Sequence, residues 1–199
     1  IPIGAGLGGG SANAATVVRG LLDFWAIDTG DYDADQLELG LLGLGADVPA
    51  CYAGVPHYIY DIGLTGERFT IDGELYALLV HPRKGCSTPA VFKAYASAQP
   101  PYRSSLDKAG CDKTREDFLT FLESCDNDLT PAAIKLVPDI ADILDVMARQ
   151  KGAMLTRMTG SGSCCFSLFA DAQSCDTAEE NLRAKQTGWW IQKTALNTA

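Results

Sequence analysis

The chain begins Ile1-Pro-Ile-Gly-Ala-Gly-Leu-Gly-Gly-Gly-Ser11, and this glycine-rich opening restricts the candidate folds more than any other segment. Five of the seven residues from Gly4 to Gly10 are glycines. Because glycine lacks a Cβ atom, its backbone can approach a ligand closely and adopt positive φ. Consecutive N–H groups can then point inward and bind an anion. The sequence therefore predicts a phosphate site made of main-chain groups, without Lys or Arg.

A predicted helix over residues 11–22 follows this loop and adds the positive end of its dipole to the same place. Small residues, Ala12-Asn-Ala-Ala15, are followed by spaced apolar ones, which is typical of a closely packed helix. Two roles are open to Ser11: it caps the helix only, or its hydroxyl also contacts phosphate or Mg²⁺. The residues expected to bind phosphate groups are Pro2, Ile3, Gly4, Ala5, Gly6, Leu7, Gly8, Gly9, Gly10, Ser11 and Ala12.

Several other kinds of loop compete with this interpretation. A Walker A loop needs a Lys before Ser11, and none is present. The protein-kinase loop needs Val-Ala-Ile-Lys and His-Arg-Asp segments, which the chain lacks. A dinucleotide-binding fingerprint fits the spacing of Gly4, Gly6 and Gly9, and Asp23 or Asp28 lies about the right distance further on. The acid of that fingerprint should end a second strand, however, and Asp23 lies at the end of the predicted helix instead. A flexible surface loop is the remaining alternative.

Composition narrows the class of protein further. The chain has 199 residues, 47% hydrophobic and 21% charged, the balance of an ordinary soluble globular protein. A net charge of −9 argues against general nucleic-acid binding, and the absence of a run of about 18 apolar residues argues against a membrane span. Seven cysteines without a C-x-x-C spacing predict reduced thiols in the cytoplasm rather than disulfides or a zinc site. The sequence leaves the oligomeric state open.

Hydrophobic periodicity predicts an α+β chain. A second helix carries Leu37 to Leu42, and Pro49 is expected to keep Val48 out of helical geometry in a tight turn. The segment from Thr88 is expected to be helical. The other predicted helices span residues 114–125, 132–150 and 177–185, and the predicted strands span residues 57–62, 68–71, 75–81, 153–158, 164–169 and 189–194.

Five segments in order resemble the GHMP kinases, a superfamily of small-molecule kinases, and within it the 4-diphosphocytidyl-2-C-methyl-D-erythritol kinase family. The opening resembles the second GHMP motif, and Met158-Thr-Gly-Ser-Gly-Ser163 resembles the third. The matches to the narrower family are Leu44-Gly-Ala-Asp-Val-Pro49, Thr88-Pro-Ala-Val-Phe92 and Asn127-Asp-Leu-Thr-Pro-Ala132.

This resemblance implies a two-lobed fold, with an active site in the cleft between the lobes. Residues 1–74 would form the latter part of an ATP-binding lobe resembling ribosomal protein S5 domain 2, and residues 75–199 a ferredoxin-like α/β lobe. It also implies ATP and Mg²⁺ as cofactors and a cytidyl diphosphate sugar alcohol as substrate, phosphorylated on its 2-hydroxyl in the non-mevalonate isoprenoid pathway. The family's first motif, with its Lys, is expected to precede Ile1, so we expect the chain by itself to be inactive.

Site residues follow from the same resemblance, position by position. Asp47 matches the family's catalytic carboxylate, although from its spacing alone it is equally an aspartate that caps local N–H groups in a turn. Phe92 would stack on the cytosine with Thr88 beside it, against the plain alternative of a core Phe. The residues of the small turn expected near substrate and nucleotide are Gly160, Ser161 and Gly162, which otherwise form an ordinary hairpin turn.

Two rival interpretations of the whole chain stay open. One is another GHMP kinase of mevalonate or homoserine type. The other is a non-catalytic nucleotide-binding remnant of a truncated gene.

The two histidines, His57 and His81, are isolated and predicted to be ordinary surface or strand residues.

Overall fold

The structure, a computed structural model, describes residues 1–28, 30, 34–60, 65–101 and 114–196. The chain divides into two compact units, one formed by residues 1–7 and 71–199 and the other by residues 8–70. We call them the sheet unit and the helical unit. The boundary expected between residues 74 and 75 stays a prediction, while the chain passes between the compact units at residues 70 and 71.

The helical unit contains three helices and one hairpin within its described residues. These are α1 (Gly9–Phe24), α2 (Ala34–Leu44), α3 (Val48–Ala53), β1 (His57–Tyr60) and β2 (Thr65–Arg68). Its small core consists of Ala15, Leu41 and Val48, one from each helix. Because residue 15 is an alanine, the backbones of α1 and α3 can approach closely, as the small residues of the sequence predicted.

The sheet unit is built on a four-stranded antiparallel sheet with strand order β4-β5-β3-β6. The strands are β3 (Leu75–His81), β4 (Ala153–Met158), β5 (Cys165–Phe169) and β6 (Trp190–Leu196), and the helices are α4 (Thr88–Ala98), α5 (Arg115–Ser124), α6 (Thr130–Leu136), α7 (Asp139–Ala148) and α8 (Ala172–Lys185). Strands and helices follow the split β-α-β-β-α-β order, which confirms the predicted ferredoxin-like lobe.

Alternation along β3 gives the sheet two buried faces. Leu78 and Val80 lie in the main core, whereas Ala77, one position away, packs in a second cluster on the other face. The main core also takes Ile140, Ile143 and Met147 from α7, all fully buried. The second cluster is covered by Leu119 and Leu122 of α5. The sheet is therefore a rigid base for the loops at its ends.

Most predicted elements are confirmed, and β3 and β4 match to the residue. Three predictions about the positions of helices and strands were wrong. The helix expected over residues 132–150 is two helices, because Pro138 cannot continue α6 and α7 begins after it. Val48 is the first residue of α3, since Pro49 is tolerated in a first helical turn. The strand expected over residues 68–71 lies instead at β2, paired with β1; Ile62, at the end of another predicted strand, lies outside the described residues.

Within the described part of the chain, no helix combines the length and apolar character needed to cross a membrane.

Candidate active site

The glycine loop takes the backbone conformation that its composition predicted. Gly4, Gly6 and Gly8 all have positive φ, at 70°, 72° and 63°. This alternation of left-handed glycines with ordinary residues turns successive N–H groups toward one side, as in anion-binding nests. A side chain at these positions would strain the backbone, so glycine is required by the geometry itself.

Residues 5 and 6 of the loop dock onto the turn that joins β4 to β5. The Thr159 hydroxyl donates to the Gly6 carbonyl at 2.9 Å, and the Cys164 amide donates to the Ala5 carbonyl at 3.1 Å. A Cβ atom built on Gly6 would lie 2.7 Å from the Thr159 carbonyl oxygen. The second and third predicted motifs therefore meet directly, although about 150 residues separate them.

The helix after the loop starts earlier than predicted. Its N-cap is Gly8 and its first residue is Gly9, so Ser11 is the third helical residue and not the cap; that prediction was wrong. The N–H groups of the first helical turn have no acceptor within the helix. A Cβ atom built on Gly8, Gly9 or Gly10 would meet none of the described atoms beyond its local backbone within 4 Å. The helix start thus presents donors beside open space.

Asp47 stands at the start of α3, in the same unit as α1. It is the N-cap residue, but its carboxylate makes no capping hydrogen bond, and the side chain is exposed. Its carbonyl accepts the Cys51 amide at 3.1 Å. The alternative role of a turn aspartate that caps local N–H groups is therefore not what the structure has. The carboxylate is left available to a ligand.

Arg19 ties the far end of α3 to α1. Its guanidinium donates to the carbonyl of Cys51 at 3.3 Å and to that of Tyr52, and lies 5.3 Å from the centre of the Tyr52 ring. Carbonyl oxygens at a helix C-terminus have no N–H donor within the helix, so a guanidinium that donates to them satisfies them. Nothing in the sequence alone pointed to this contact, since the two residues bonded to Arg19 lie over 30 positions away.

The predicted substrate residues of the sheet unit come together in part. The hydroxyls of Thr88, the first residue of α4, and Ser161 lie 2.8 Å apart. Phe92 lies one helical turn further on, on the same face of α4, and 53% of it is exposed. Such exposure argues against the alternative of a core Phe. Gly160 and Gly162 form the turn with Ser161, both at positive φ.

Asn127 holds that turn from the side. Its amide nitrogen donates to the carbonyls of Met158 at 2.9 Å and Gly160 at 2.8 Å, while its side-chain oxygen accepts the Leu129 amide at 3.0 Å. One side chain thus makes three hydrogen bonds, two of them to a segment more than 30 residues away. The sequence identified Asn127 only as the first residue of a segment that resembles the narrower kinase family, and nothing in the sequence indicated these hydrogen bonds.

His81 and Ser163 brace the turn from the strand side. The Arg83 amide donates to Nδ1 of His81 at 3.0 Å, so Nε2 carries the proton and donates to the Ser163 hydroxyl at 3.0 Å; that hydroxyl donates to the Lys84 carbonyl. Burial, together with the Arg83 charge, lowers the pKa of His81 below its ordinary value. His81 is 1% exposed, so it is a strand histidine, as one of the predicted options held.

Four cysteines of the described residues, Cys86, Cys164, Cys165 and Cys175, are buried as small apolar side chains. Burial raises the pKa of Cys164 to about 12 and also raises that of Cys165. Neither forms a thiolate near neutral pH, so both fill space as expected. Cys111 lies outside the described residues.

A metal site made by the protein alone is not found within the described residues, where no group of three His, Cys, Asp or Glu side chains converges. Mg²⁺ keeps several waters and is commonly bound by substrate phosphates with one or two protein oxygens. The Ser11 hydroxyl and the Asp47 carboxylate are oxygens of that kind in the helical unit.

Comparison with protein families identifies both parts of the chain. Residues 1–55 match the family described as the GHMP kinases N terminal domain, and residues 113–187 match the GHMP kinases C terminal family. Two curated relatives are named 4-diphosphocytidyl-2-C-methyl-D-erythritol kinase. The one from Paracoccus denitrificans is 39% identical over 200 residues, covering 100% of this chain and 67% of the relative. The one from Rhizobium etli is 38% identical over 194 residues, covering 98% and 63%.

A solved structure agrees with these relatives. A crystal structure of 4-(cytidine 5'-diphospho)-2C-methyl-D-erythritol kinase superposes with a TM-score of 0.73 at 27% identity, over 98% of this chain and 66% of that one. A homoserine kinase from Cytophaga hutchinsonii superposes with a TM-score of 0.67 at 15% identity, over 100% and 67% of the two chains, which shows the shared fold alone. The chain spans 63% to 67% of the length of these relatives.

Proposed function

Since the chain belongs to the GHMP kinase superfamily, and within it to the 4-diphosphocytidyl-2-C-methyl-D-erythritol kinase family, we propose that the protein transfers the γ-phosphoryl group of ATP to the 2-hydroxyl of that cytidyl sugar alcohol. The reaction belongs to the non-mevalonate isoprenoid pathway. We place the enzyme in the cytoplasm, in keeping with the free thiols of Cys164, Cys165 and Cys175.

The observation that carries the proposal is the backbone of the glycine loop. Three left-handed glycines lead into a helix whose first two residues are also glycine, with open space beside them. Phosphoryl transfer asks a protein mainly to position the phosphates and to stabilise charge. Main-chain amides supply both functions here without a cation in the loop, which suits a nucleotide bound along residues 2–12.

Asp47 is the group that we propose accepts the proton of the 2-hydroxyl as the oxygen attacks the γ-phosphorus. Its carboxylate is exposed and makes no capping bond, so it is free to receive a hydroxyl. The attached helix α3 fixes its main chain through the Cys51 amide. A positioned base of this kind contributes about 10²- to 10⁴-fold to the rate of a proton-transfer step.

Mg²⁺ would be held by the phosphates of ATP together with the Ser11 hydroxyl. When bound, it neutralises negative charge on the transferred phosphoryl group. The helix start keeps Ser11 in the first turn, next to the amides proposed to bind the same phosphates.

For the cytosine ring we propose Phe92 as the stacking partner. Its ring is half exposed on α4, four residues after Thr88. The hydrogen bond between Thr88 and Ser161 fixes the start of this helix against the β4–β5 turn. A flat base stacks on an exposed aromatic ring at a gain of about 1–3 kcal/mol.

The experiment that tests this function is a coupled ADP-release assay on the protein as its gene encodes it, with 4-diphosphocytidyl-2-C-methyl-D-erythritol, mevalonate and homoserine as separate acceptors. We expect ADP release that depends on Mg²⁺ and on the cytidyl acceptor alone. Release with mevalonate or homoserine would favour another GHMP activity. ATP binding without release on any acceptor would favour a non-catalytic nucleotide-binding protein.

A further inference from the structure

We propose that Asn127 is a positioning residue for the nucleotide: it fixes the β4–β5 turn, and the turn in turn fixes the glycine loop. The inference rests on the proposed function, because it takes the loop to be a nucleotide site. Every contact in it lies within the sheet unit.

Asn127 is hydrogen-bonded to the β4–β5 turn at two places. Its single amide group bridges the carbonyls of Met158, the last residue of β4, and Gly160, within the turn. Bonding two carbonyls on either side of Thr159 fixes the orientation of that residue. The Leu129 amide holds the other end of the Asn127 side chain at 3.0 Å, so the amide cannot rotate freely.

The second step runs from the turn to the loop. Thr159 donates its hydroxyl to the Gly6 carbonyl at 2.9 Å. The approach is as close as backbone allows, since a Cβ on Gly160 would lie 3.0 Å from the Gly6 carbonyl oxygen, and one on Gly6 would lie 2.7 Å from the Thr159 carbonyl oxygen. A turn that moves therefore moves Gly6, and with it the adjoining amides proposed to bind phosphate.

The position of Asn127 does not require a core side chain. Its side chain is partly buried and lines a cavity of about 500 Å³ together with Arg157 and Thr156 of β4. A packing role would be served by an apolar side chain of similar size. The chain instead has an amide whose hydrogen-bonding groups all meet main chain of the turn or of its own segment, which is the arrangement expected for positioning.

The test uses small side-chain changes in the protein as its gene encodes it. Asn127→Asp removes both donors and keeps the acceptor for Leu129, and Asn127→Ser shortens the side chain without adding charge. Thr159→Val removes the hydroxyl that reaches Gly6 at almost constant shape. Asn181→Asp, an exposed asparagine on α8, is the matched control for the change of charge.

We expect the Kd for MgATP, measured by titration calorimetry, to rise about tenfold in the variants at 127 and 159, the loss expected when one or two hydrogen bonds that order a site are removed. The double variant Asn127→Asp with Thr159→Val should have a Kd for MgATP close to that of whichever single variant binds MgATP less tightly. Both changes interrupt the same chain of hydrogen bonds from Asn127 to Gly6, so their effects should not add. The control should bind as the wild type does.

Kinetics separate positioning from folding. We expect KM for ATP to rise with Kd while kcat changes little. A lower melting temperature with unchanged Kd and KM would overturn the proposal, as would fully additive losses in the double variant.

The proposed substrate can fail separately. If the wild type binds MgATP but phosphorylates none of the acceptors, the Kd series still decides the role of Asn127. A wild type that binds no MgATP overturns both proposals.

Discussion

At the scale of single residues, each of the two units exposes a side chain that we propose contacts the substrate. Asp47 occupies an N-cap position without capping, and Phe92 exposes more than half of its surface on a helix that could have buried it. Both residues were found by resemblance to a family, since neither spacing nor composition separates a catalytic aspartate from a turn aspartate. The proposed role of Asn127, by contrast, can be recognised only from its hydrogen bonds to residues far along the chain.

Replacing Asp47 with Asn should lower kcat by about 10²- to 10⁴-fold, because the amide cannot accept the proton of the substrate hydroxyl. The melting temperature should change little, since the carboxylate stabilises no helix end. Steady-state ADP release and a thermal melt measure the two effects. Asp72→Asn, at an exposed turn aspartate of the other unit, is the control and should keep its turnover. Wild-type turnover in the Asp47 variant would remove this residue from the mechanism.

Replacing Phe92 with Leu should raise KM for the cytidyl acceptor about tenfold, because a branched aliphatic side chain cannot stack on the base. KM for ATP should stay the same. Stability should also be nearly unchanged, since the ring is 53% exposed. Initial rates with each substrate varied in turn distinguish these effects, and an unchanged KM for the acceptor would place the cytosine elsewhere.

At the scale of elements, hydrophobic periodicity predicted the positions of most helices and strands. Strong alternation placed β3 and β4 to the residue, and small residues predicted a closely packed α1. The failures lie where one residue competes with a pattern. Pro138 divides a continuous apolar periodicity into two helices, and Pro49 enters a first helical turn that the preceding residue also joins. Pairing partners decided the position of β2, and pairing cannot be read from one strand alone.

The short helix α3 should depend on Arg19. Six residues form a marginal helix by themselves, and the guanidinium binds the carbonyls of Cys51 and Tyr52 near its end. Arg19→Met should lower the free energy of unfolding by about 1–3 kcal/mol, because charged hydrogen bonds are lost. Denaturant titration checks this.

Hydrogen exchange locates the same effect. The amides of Cys51 and Gly54 should exchange faster in Arg19→Met, while those of β3 should not change. The matched control is Arg149→Met, which breaks an exposed pair with Asp145 and should cost less than about 1 kcal/mol. Equal effects of the two substitutions would show that the contact of Arg19 is of no special importance to α3.

At the scale of the whole molecule, contacts between segments far apart in sequence hold together the sheet unit's part of the candidate site. The glycine loop meets the β4–β5 turn across about 150 residues, and His81 meets Ser163 across 82. The motifs themselves were readable in order along the chain. The contact between the glycine loop and the β4–β5 turn could not be predicted, because hydrogen bonds between distant segments produce no periodic pattern in a sequence.

His81 should make the stability of the fold depend on pH. Its folded pKa is lowered, so the folded state binds fewer protons than the unfolded state below about pH 6.5. The stability is therefore fully present above that pH and is lost as the pH falls toward the folded pKa. Melting temperatures from pH 7.5 to 5.5 should fall in the wild type and in His57→Gln, and fall less in His81→Gln. Equal slopes in all three proteins would contradict this assignment.

The binding of MgATP to the helix start is best tested by filling its open space. Gly9→Ala with Gly10→Ala adds two methyl groups that meet none of the described protein atoms within 4 Å outside their local backbone. Alanine in a helix is favoured over glycine by up to about 1 kcal/mol per position, so stability should hold or rise. Gly20→Ala, further along the same helix and equally open, is the control. Calorimetric titration with MgATP should show a Kd at least tenfold higher in the double variant and an unchanged Kd in the Gly20→Ala control. An unchanged Kd in the double variant would mean that the phosphates lie elsewhere.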